Sequence, residues 1–305
     1  MIYVLIIVII ALIPVFVKNT YYLNFLVTSA VMAVSVVGYD FLIGTTGYNS
    51  FAHAAFMGLG GYISAILAKT VGLNIWLSVI IAIIATGIVA YLLSFPVFRL
   101  KGMTFSIATL AFGQVFYVVV YNWDSVTKGA RGIIQLKRMF PSLIGYYYFS
   151  FAALFIIGYA VKRFTSSPAG KAMYAIKENE KLAESVGVST FRLKRFALVV
   201  SAVIAAFAGA VEVHLLSLAS TASFSMDQSL EILVTAIMGG VGTTIGPGAA
   251  AFGLNLLSQL MAQFQELRLA LYGLLLIFTI RFLPGGVAGF INQLLKNRKK
   301  IRSKQ

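Results

Sequence analysis

An all-α integral membrane bundle of about ten transmembrane helices is the fold class this sequence predicts, and three observations predict it. First, 60% of the 305 residues are hydrophobic and only 11% are charged, with a mean hydropathy of +0.91. A water-soluble domain has roughly a quarter of its residues charged, because its surface requires them, so lipid must be the solvent for much of this chain. Second, apolar runs as long as a membrane span recur from end to end, and residues 21–39 carry no charge at all. Third, the net charge of +15 is collected in a few short segments between those runs. That placement suits loops held against an anionic leaflet and argues against nucleic acid as a partner. The chain has no cysteine, which removes disulfides, thiolate metal sites and cysteine nucleophiles.

A hydrocarbon core about 30 Å thick takes about 20 apolar residues per helix. Candidate spans fall near residues 2–17, 21–43, 50–68, 75–95, 103–121, 143–161, 196–218, 229–245, 248–265 and 268–283, within a single domain covering 1–305. No positive charge precedes the first run, so it reads as a short span rather than a signal peptide. The first, eighth and last runs are short, and one of them could be re-entrant or broken.

Basic residues set an orientation. With both termini and the 162–195 loop on the cytoplasmic side, seventeen of the 24 Lys and Arg residues lie inside, six of them in the basic tail 296–305. Seven lie outside, and four of these (Lys128, Arg131, Lys137 and Arg138) fall in the 122–141 loop. The bias satisfies the positive-inside rule. The 122–141 loop is then an external loop with a surface role or the sign of a misplaced span.

Residues 162–195 are too polar for a membrane. Ser166 or Ser167 offers an N-cap, Pro168 suits a first helical position and Gly187 offers a stop, which predicts a helix over 168–186. Ala172, Ala175, Ile176, Ala183 and Val186 recur at helical spacing, while Glu178, Glu180, Lys181 and Glu184 point elsewhere. A stripe of such small residues fits a groove on another protein. The competing reading is a helix resting on the membrane surface or on its own bundle.

Two glycine clusters stand out: Gly58, Gly60 and Gly61 in "FMGLGGY", and Gly239, Gly240, Gly242, Gly246 and Gly248 in "GGVGTTIGPG". Glycines let helix backbones approach closely, and with Pro247 they also permit a break whose backbone could line a watery path. No G-x-x-x-x-G-K-[ST] occurs, so no P-loop binds ATP here. Asp40, His53, Glu212, His214, Asp227 and Glu231 sit at or near membrane depth, where an ionisable group marks a pathway or a helix-to-helix hydrogen bond. No H-E-x-x-H motif, clustered metal ligands or G-x-S-x-G elbow appears, so neither a metal, a cofactor nor an intramembrane enzyme has support.

Four stretches carry a resemblance. "GYNSFAHAAFMGLGGYISAIL" (47–67), "LKGMTFSIATLAFGQVFYVVVYNWDSVTKGARGI" (100–133), "SPAGKAMYAIKENEKLAESVGVSTFRLKRFALVVSAVIAAFAGA" (167–210) and "SLEILVTAIMGGVGTTIGPGAAAFGLNLL" (229–257) look like successive blocks of the permeases of branched-chain amino acid ABC importers, the LivM type. Together they cover about four fifths of the chain, in the family's order. Three departures stand out. In the importers' E-A-A-x-x-x-G loop pattern only Ala183 and Gly187 match, Asp40 stands where an amide is expected, and Glu212 where an apolar or aromatic residue is.

The resemblance implies a type II ABC-importer-like bundle in the inner membrane of a prokaryote, both termini cytoplasmic. It implies a non-enzymatic transport subunit that pairs with a second, homologous permease. Two cytoplasmic ATP-binding subunits would grip the loop helices through Ala172, Ala175, Ile176, Ala183 and Gly187, and an external substrate-binding protein would deliver the solute. His53, Gly58, Gly61, Glu231, Gly239, Gly240, Gly242 and Gly246 become the candidates for the pathway. Urea and short-chain amide permeases are close relatives, so the substrate stays open. A proton- or sodium-coupled carrier using Asp40, Glu212 or Glu231 is the rival reading. It would need no docking helix.

Overall fold

A computed structural model of the protein describes residues 13–14, 19–260, 265–282 and 285–289. The first expected span and the basic tail lie outside the described residues, apart from residues 13–14.

The long apolar runs become helices: α1 (Thr20–Thr46), α2 (His53–Lys69), α3 (Ile75–Val97), α4 (Met103–Asn122), a single turn α5 (Asp124–Thr127) and α6 (Leu143–Thr165). The polar loop forms α7 (Pro168–Glu178) and α8 (Glu180–Ser185). Then come α9 (Thr190–Leu216), α10 (Met226–Gly239), α11 (Ile245–Leu260) and α12 (Gln265–Phe282). The chain is an all-α, multi-pass membrane protein, and five of these helices (α1, α3, α4, α6 and α9) are long and apolar enough to cross a bilayer. At about 1.5 Å per residue, the 14 residues of α10 reach only about 21 Å, short of the hydrocarbon core. The eighth expected span, 229–245, is therefore corrected to a shorter helix and a break at 240–244.

α1 and α9, 27 residues each, form the centre: 78% and 67% of their apolar windows are buried, against 17% in α4. Length and small residues make this possible. Gly60 of α2 lies so close to the backbone of Ala206, and Gly209 of α9 so close to the backbone of Met57, that a Cβ on either would collide with main chain. The crossing of α2 and α9 thus depends on glycine at both contacts. The α3, α4 and α6 helices pack around this centre and leave Ile84, Ile107, Val115 and Ile156 exposed.

The 122–141 segment is not a span. Its Ile133–Ile134 strand (β1) pairs antiparallel with Leu218–Ala219 (β2), Ile133 opposite Ala219 and Ile134 opposite Leu218. His214 holds the segment down. Its Nδ1 lies 2.9 Å from the carbonyl oxygen of Lys137 and must carry the proton, so Nε2 accepts from the Ser64 hydroxyl at 2.9 Å. Tyr146 donates to the His214 carbonyl at 2.9 Å and accepts from the Met139 N–H at 2.7 Å. The opposite end of the bundle gathers the 47–52 connector, the start of α4, the loop helices and the 240–244 break.

Candidate coupling site

The loop helices begin as the sequence suggests. Ser167 caps α7 by accepting from the Gly170 N–H at 3.2 Å, and Pro168 takes the first turn, where its missing N–H costs nothing. The single helix expected over 168–186 is instead two. Asn179, extended at φ −157°, ends α7 and caps α8 by accepting from the Leu182 N–H at 3.1 Å. Gly187 closes α8 at φ +85°, a conformation in which a side chain is strained.

The break at Asn179 turns Glu180 into the bundle. Lys194 of α9, 2% exposed, donates to one Glu180 carboxylate oxygen at 2.5 Å, and Tyr48 donates to the other at 2.7 Å. The ammonium also lies 4.9 Å from the Tyr48 ring centroid and 5.5 Å from that of Phe98. Phe105, at the start of α4, packs edge-on against Tyr48 at 4.9 Å and stacks with Phe98. One carboxylate and one ammonium therefore tie α8 to α9, to the 47–52 connector and to the junction of α3 and α4.

Electrostatics at this site follow from its partners. Burial pushes the Glu180 carboxyl up, but hydrogen bonds from Lys194 and Tyr48, with the charges of Lys194 and Lys101, outweigh it and hold the group below its ordinary value. Burial, with the neighbouring Glu180 and Glu184 carboxylates, raises the Tyr48 hydroxyl and keeps it a donor.

A second contact joins α7 to the glycine-rich break. Lys177 donates to the Gly44 carbonyl at 3.2 Å, and the Tyr174 hydroxyl reaches the Gly242 carbonyl at 3.5 Å. Asp40 of α1, 2% exposed, accepts from the N–H groups of Gly242 at 2.6 Å and Thr244 at 3.1 Å. A wet helix end and a coupling carboxylate were the readings open to Asp40. Here both its oxygens cap the 240–244 turn, in which Gly240 and Gly242 have φ +105° and +87°.

The expected docking stripe divides in two. Ile176 and Ala183, 3% and 2% exposed, are turned into the protein's own bundle beside Met173, and Ala172 is half-buried. They belong to the loop's seat, because the break at Asn179 rotates α8 relative to α7. Ala175 and Gly187 face outward. So do Leu182 (63% exposed) and Val186 (73%), four residues apart on one face of a polar loop, and the sequence reading missed this pair as a face of its own.

The pathway candidates fall into three places. His53, Gly58 and Gly61 lie in helix packing. The His53 Nε2–H donates to the Ser35 carbonyl at 3.0 Å, Gly58 faces Phe116 and Phe224, and Gly61 faces Val213 and Phe224. Gly239 and Gly246 press backbone to backbone where α10 crosses α11, and Gly240 and Gly242 form the turn between those helices. Glu231 is buried and accepts from the Ser258 hydroxyl at 2.9 Å. His53 and Glu231 are not brought together with the loop helices. Asp40, Gly242, Tyr174, Lys177, Glu180, Lys194 and Tyr48 are.

Comparison with known proteins follows the same lines. The family described as "Branched-chain amino acid transport system / permease component" matches residues 21–280. The chain is 26% identical over 291 residues to the high-affinity branched-chain amino acid transport system permease protein LivM of Escherichia coli (strain K12), across 85% of this chain and 68% of that protein. LivM of Salmonella typhimurium (strain LT2) matches with the same identity and coverage. A probable branched-chain amino acid transport permease protein, LivH, of Methanocaldococcus jannaschii is 22% identical over 287 residues, across 87% of this chain and 90% of that protein. No solved structure matches the chain significantly.

Proposed function

Because the chain belongs to the family of branched-chain amino acid transport system permease components, we propose that it is a membrane subunit of an ABC importer for branched-chain amino acids. In this reading two ATP-binding subunits dock on the loop helices from the cytoplasm, a second permease helps enclose the path, and an external binding protein delivers the amino acid. Both termini lie in the cytoplasm, and the membrane is the plasma membrane of a prokaryote.

One observation supports this reading most: α7 and α8 are seated on α1, α6 and α9, yet Leu182 and Val186 stay exposed. An apolar pair held rigidly in water is suited to a partner's groove. Mechanically, a pull on α8 acts on α9 and the 47–52 connector through Glu180, Lys194 and Tyr48. A pull on α7 acts through Lys177 and Tyr174 on the end of α1 and on the 240–244 turn that Asp40 caps. Both routes end on helices of the central bundle, so a change in spacing between two ATPases tilts the elements around the path. The chain's own residues supply docking, positioning and a pathway. Hydrolysis belongs to the partner.

The test is reconstitution. Co-expressed with its ATPase subunits, the chain should co-purify with them and support ATP-dependent leucine, isoleucine or valine uptake into proteoliposomes once binding protein is added. Uptake by this chain alone, in liposomes without ATP, would overturn the proposal and favour the ion-coupled carrier.

A further inference from the structure

A shallow, open depression of about 670 Å³ lies along the outer side of α6. Its walls are Phe155, Ile156, Tyr159, Ala160 and Phe164, almost entirely carbon; Ile156 and Tyr159 are 67% and 69% exposed. α6 is one of the five described helices long and apolar enough to span the bilayer, and an exposed apolar side on such a helix is suited to acyl chains. At the loop end the character changes abruptly. Arg163 and Ser167 end the depression, and Ser167 is the N-cap of α7. Among the described residues Arg163 has no anionic partner, although it stands beside a wall of aromatic carbon.

The dimensions fit one kind of occupant. From Phe155 to Arg163 is eight residues, about 12 Å along the helix, close to the depth of one leaflet's hydrocarbon at about 15 Å. An open apolar face about as long as one leaflet is deep, ending in a guanidinium that has no ion-pair partner among the described residues, is complementary to a molecule with a long chain and an anionic head. The exposed Lys171 in α7, also at this end, adds attraction for the same charge.

We propose that this depression binds an anionic phospholipid of the leaflet on the loop-helix side, its phosphate on Arg163 and an acyl chain along Phe155, Ile156 and Tyr159. A guanidinium grips a phosphate with two parallel N–H donors, which a zwitterionic headgroup's own ammonium would contest. The headgroup then rests at the cap of α7, so the lipid steadies the root of the loop helices.

The experiment uses the full chain, purified in detergent with and without its partner subunits, exposed to equal amounts of phosphatidylglycerol and phosphatidylcholine, and examined by native mass spectrometry. Wild type should retain phosphatidylglycerol preferentially, Arg163→Lys should keep part of that preference, and Arg163→Glu should lose it at least tenfold. Arg131→Glu, on the loop at the far end, should not change it. Equal retention of both lipids by wild type, or an undiminished preference in Arg163→Glu, would overturn the assignment. So would a disulfide between two copies of an Ile156→Cys variant of this otherwise cysteine-free chain, which would give the depression to a second protein.

Discussion

Glu180 and Lys194 form an unequal pair, and the inequality predicts how each responds to substitution. Lys194 is buried to 3% of its side chain, whereas Glu180 keeps 18% of its side chain in contact with solvent. Glu180→Ala strands an ammonium away from water, which costs about 3 kcal/mol at the lower end of what broken buried pairs show. Lys194→Met leaves a carboxylate that can turn toward water, so thermal unfolding in detergent should fall further for Glu180→Ala than for Lys194→Met. The pH dependence has a definite sign. A carboxyl held below its ordinary value of 4.5 when folded stabilises the docked loop above that pH. The stabilisation is lost as pH falls through the lower, folded value. A nitroxide on Ser185→Cys should become mobile on acidification below pH 4.5, and the same label in a Glu180→Gln background should show no such acid step. None of this was visible in the sequence. Glu180 stands among Glu178, Lys181 and Glu184 as one charge of several, and only the break at Asn179 selects it. An Asn three residues ahead of Leu182 was the available signal, since asparagine caps helices as readily as it sits within loops.

At the scale of elements, the loop helices and the central crossing make opposite demands. α8 presents Ala183 to its own bundle and Leu182 to solvent, with Val186 exposed just past its end, so two substitutions one residue apart should fail differently. Ala183→Arg drives a charge into the seat and should loosen the loop itself, seen as faster proteolysis of residues 179–190 in the isolated chain. Leu182→Asp should leave the isolated chain's unfolding temperature and proteolysis unchanged, yet abolish co-purification with the ATPase subunits. Normal co-purification of Leu182→Asp would remove α8 from the docking face. At the crossing of α2 and α9, Gly60→Ala and Gly209→Ala each press a methyl group into main chain, which overpacks by about 1–3 kcal/mol or more. Gly253→Ala, with open space around it, is the matched control and should unfold like wild type. The glycine clusters were plain in the sequence, but two explanations were open, close packing and a break. Both occur: packing at Gly60 and Gly61, and at 239–246 a crossing joined by a turn that Asp40 caps.

For the whole molecule, the positive-inside count and the coordinates bear on topology from independent directions. The count places 162–195 with Arg99 and Lys101, and the fold brings the same segments to one end, with 122–141 at the other. Single cysteines at Ser166 and Ser125, both exposed, should therefore differ in intact cells: an impermeant maleimide should label Ser125→Cys and spare Ser166→Cys. The reverse pattern would invert the protein in the membrane and remove the ATPase from the loop helices. What the sequence by itself determined was the solvent, the helices and their order. Long uncharged runs leave the backbone no stable state in lipid except a helix, and that constraint is local. The partner of each polar group lay beyond it. Asp40 and Gly242 are some 200 residues apart, as are Ser64 and His214 by 150, and Tyr48 and Glu180 by 132. Only tertiary packing decides such pairs, because a buried charge or imidazole takes whichever donor or acceptor the fold brings to it. The same packing turned half of an apparently uniform docking stripe inward and left Leu182 and Val186 facing the water.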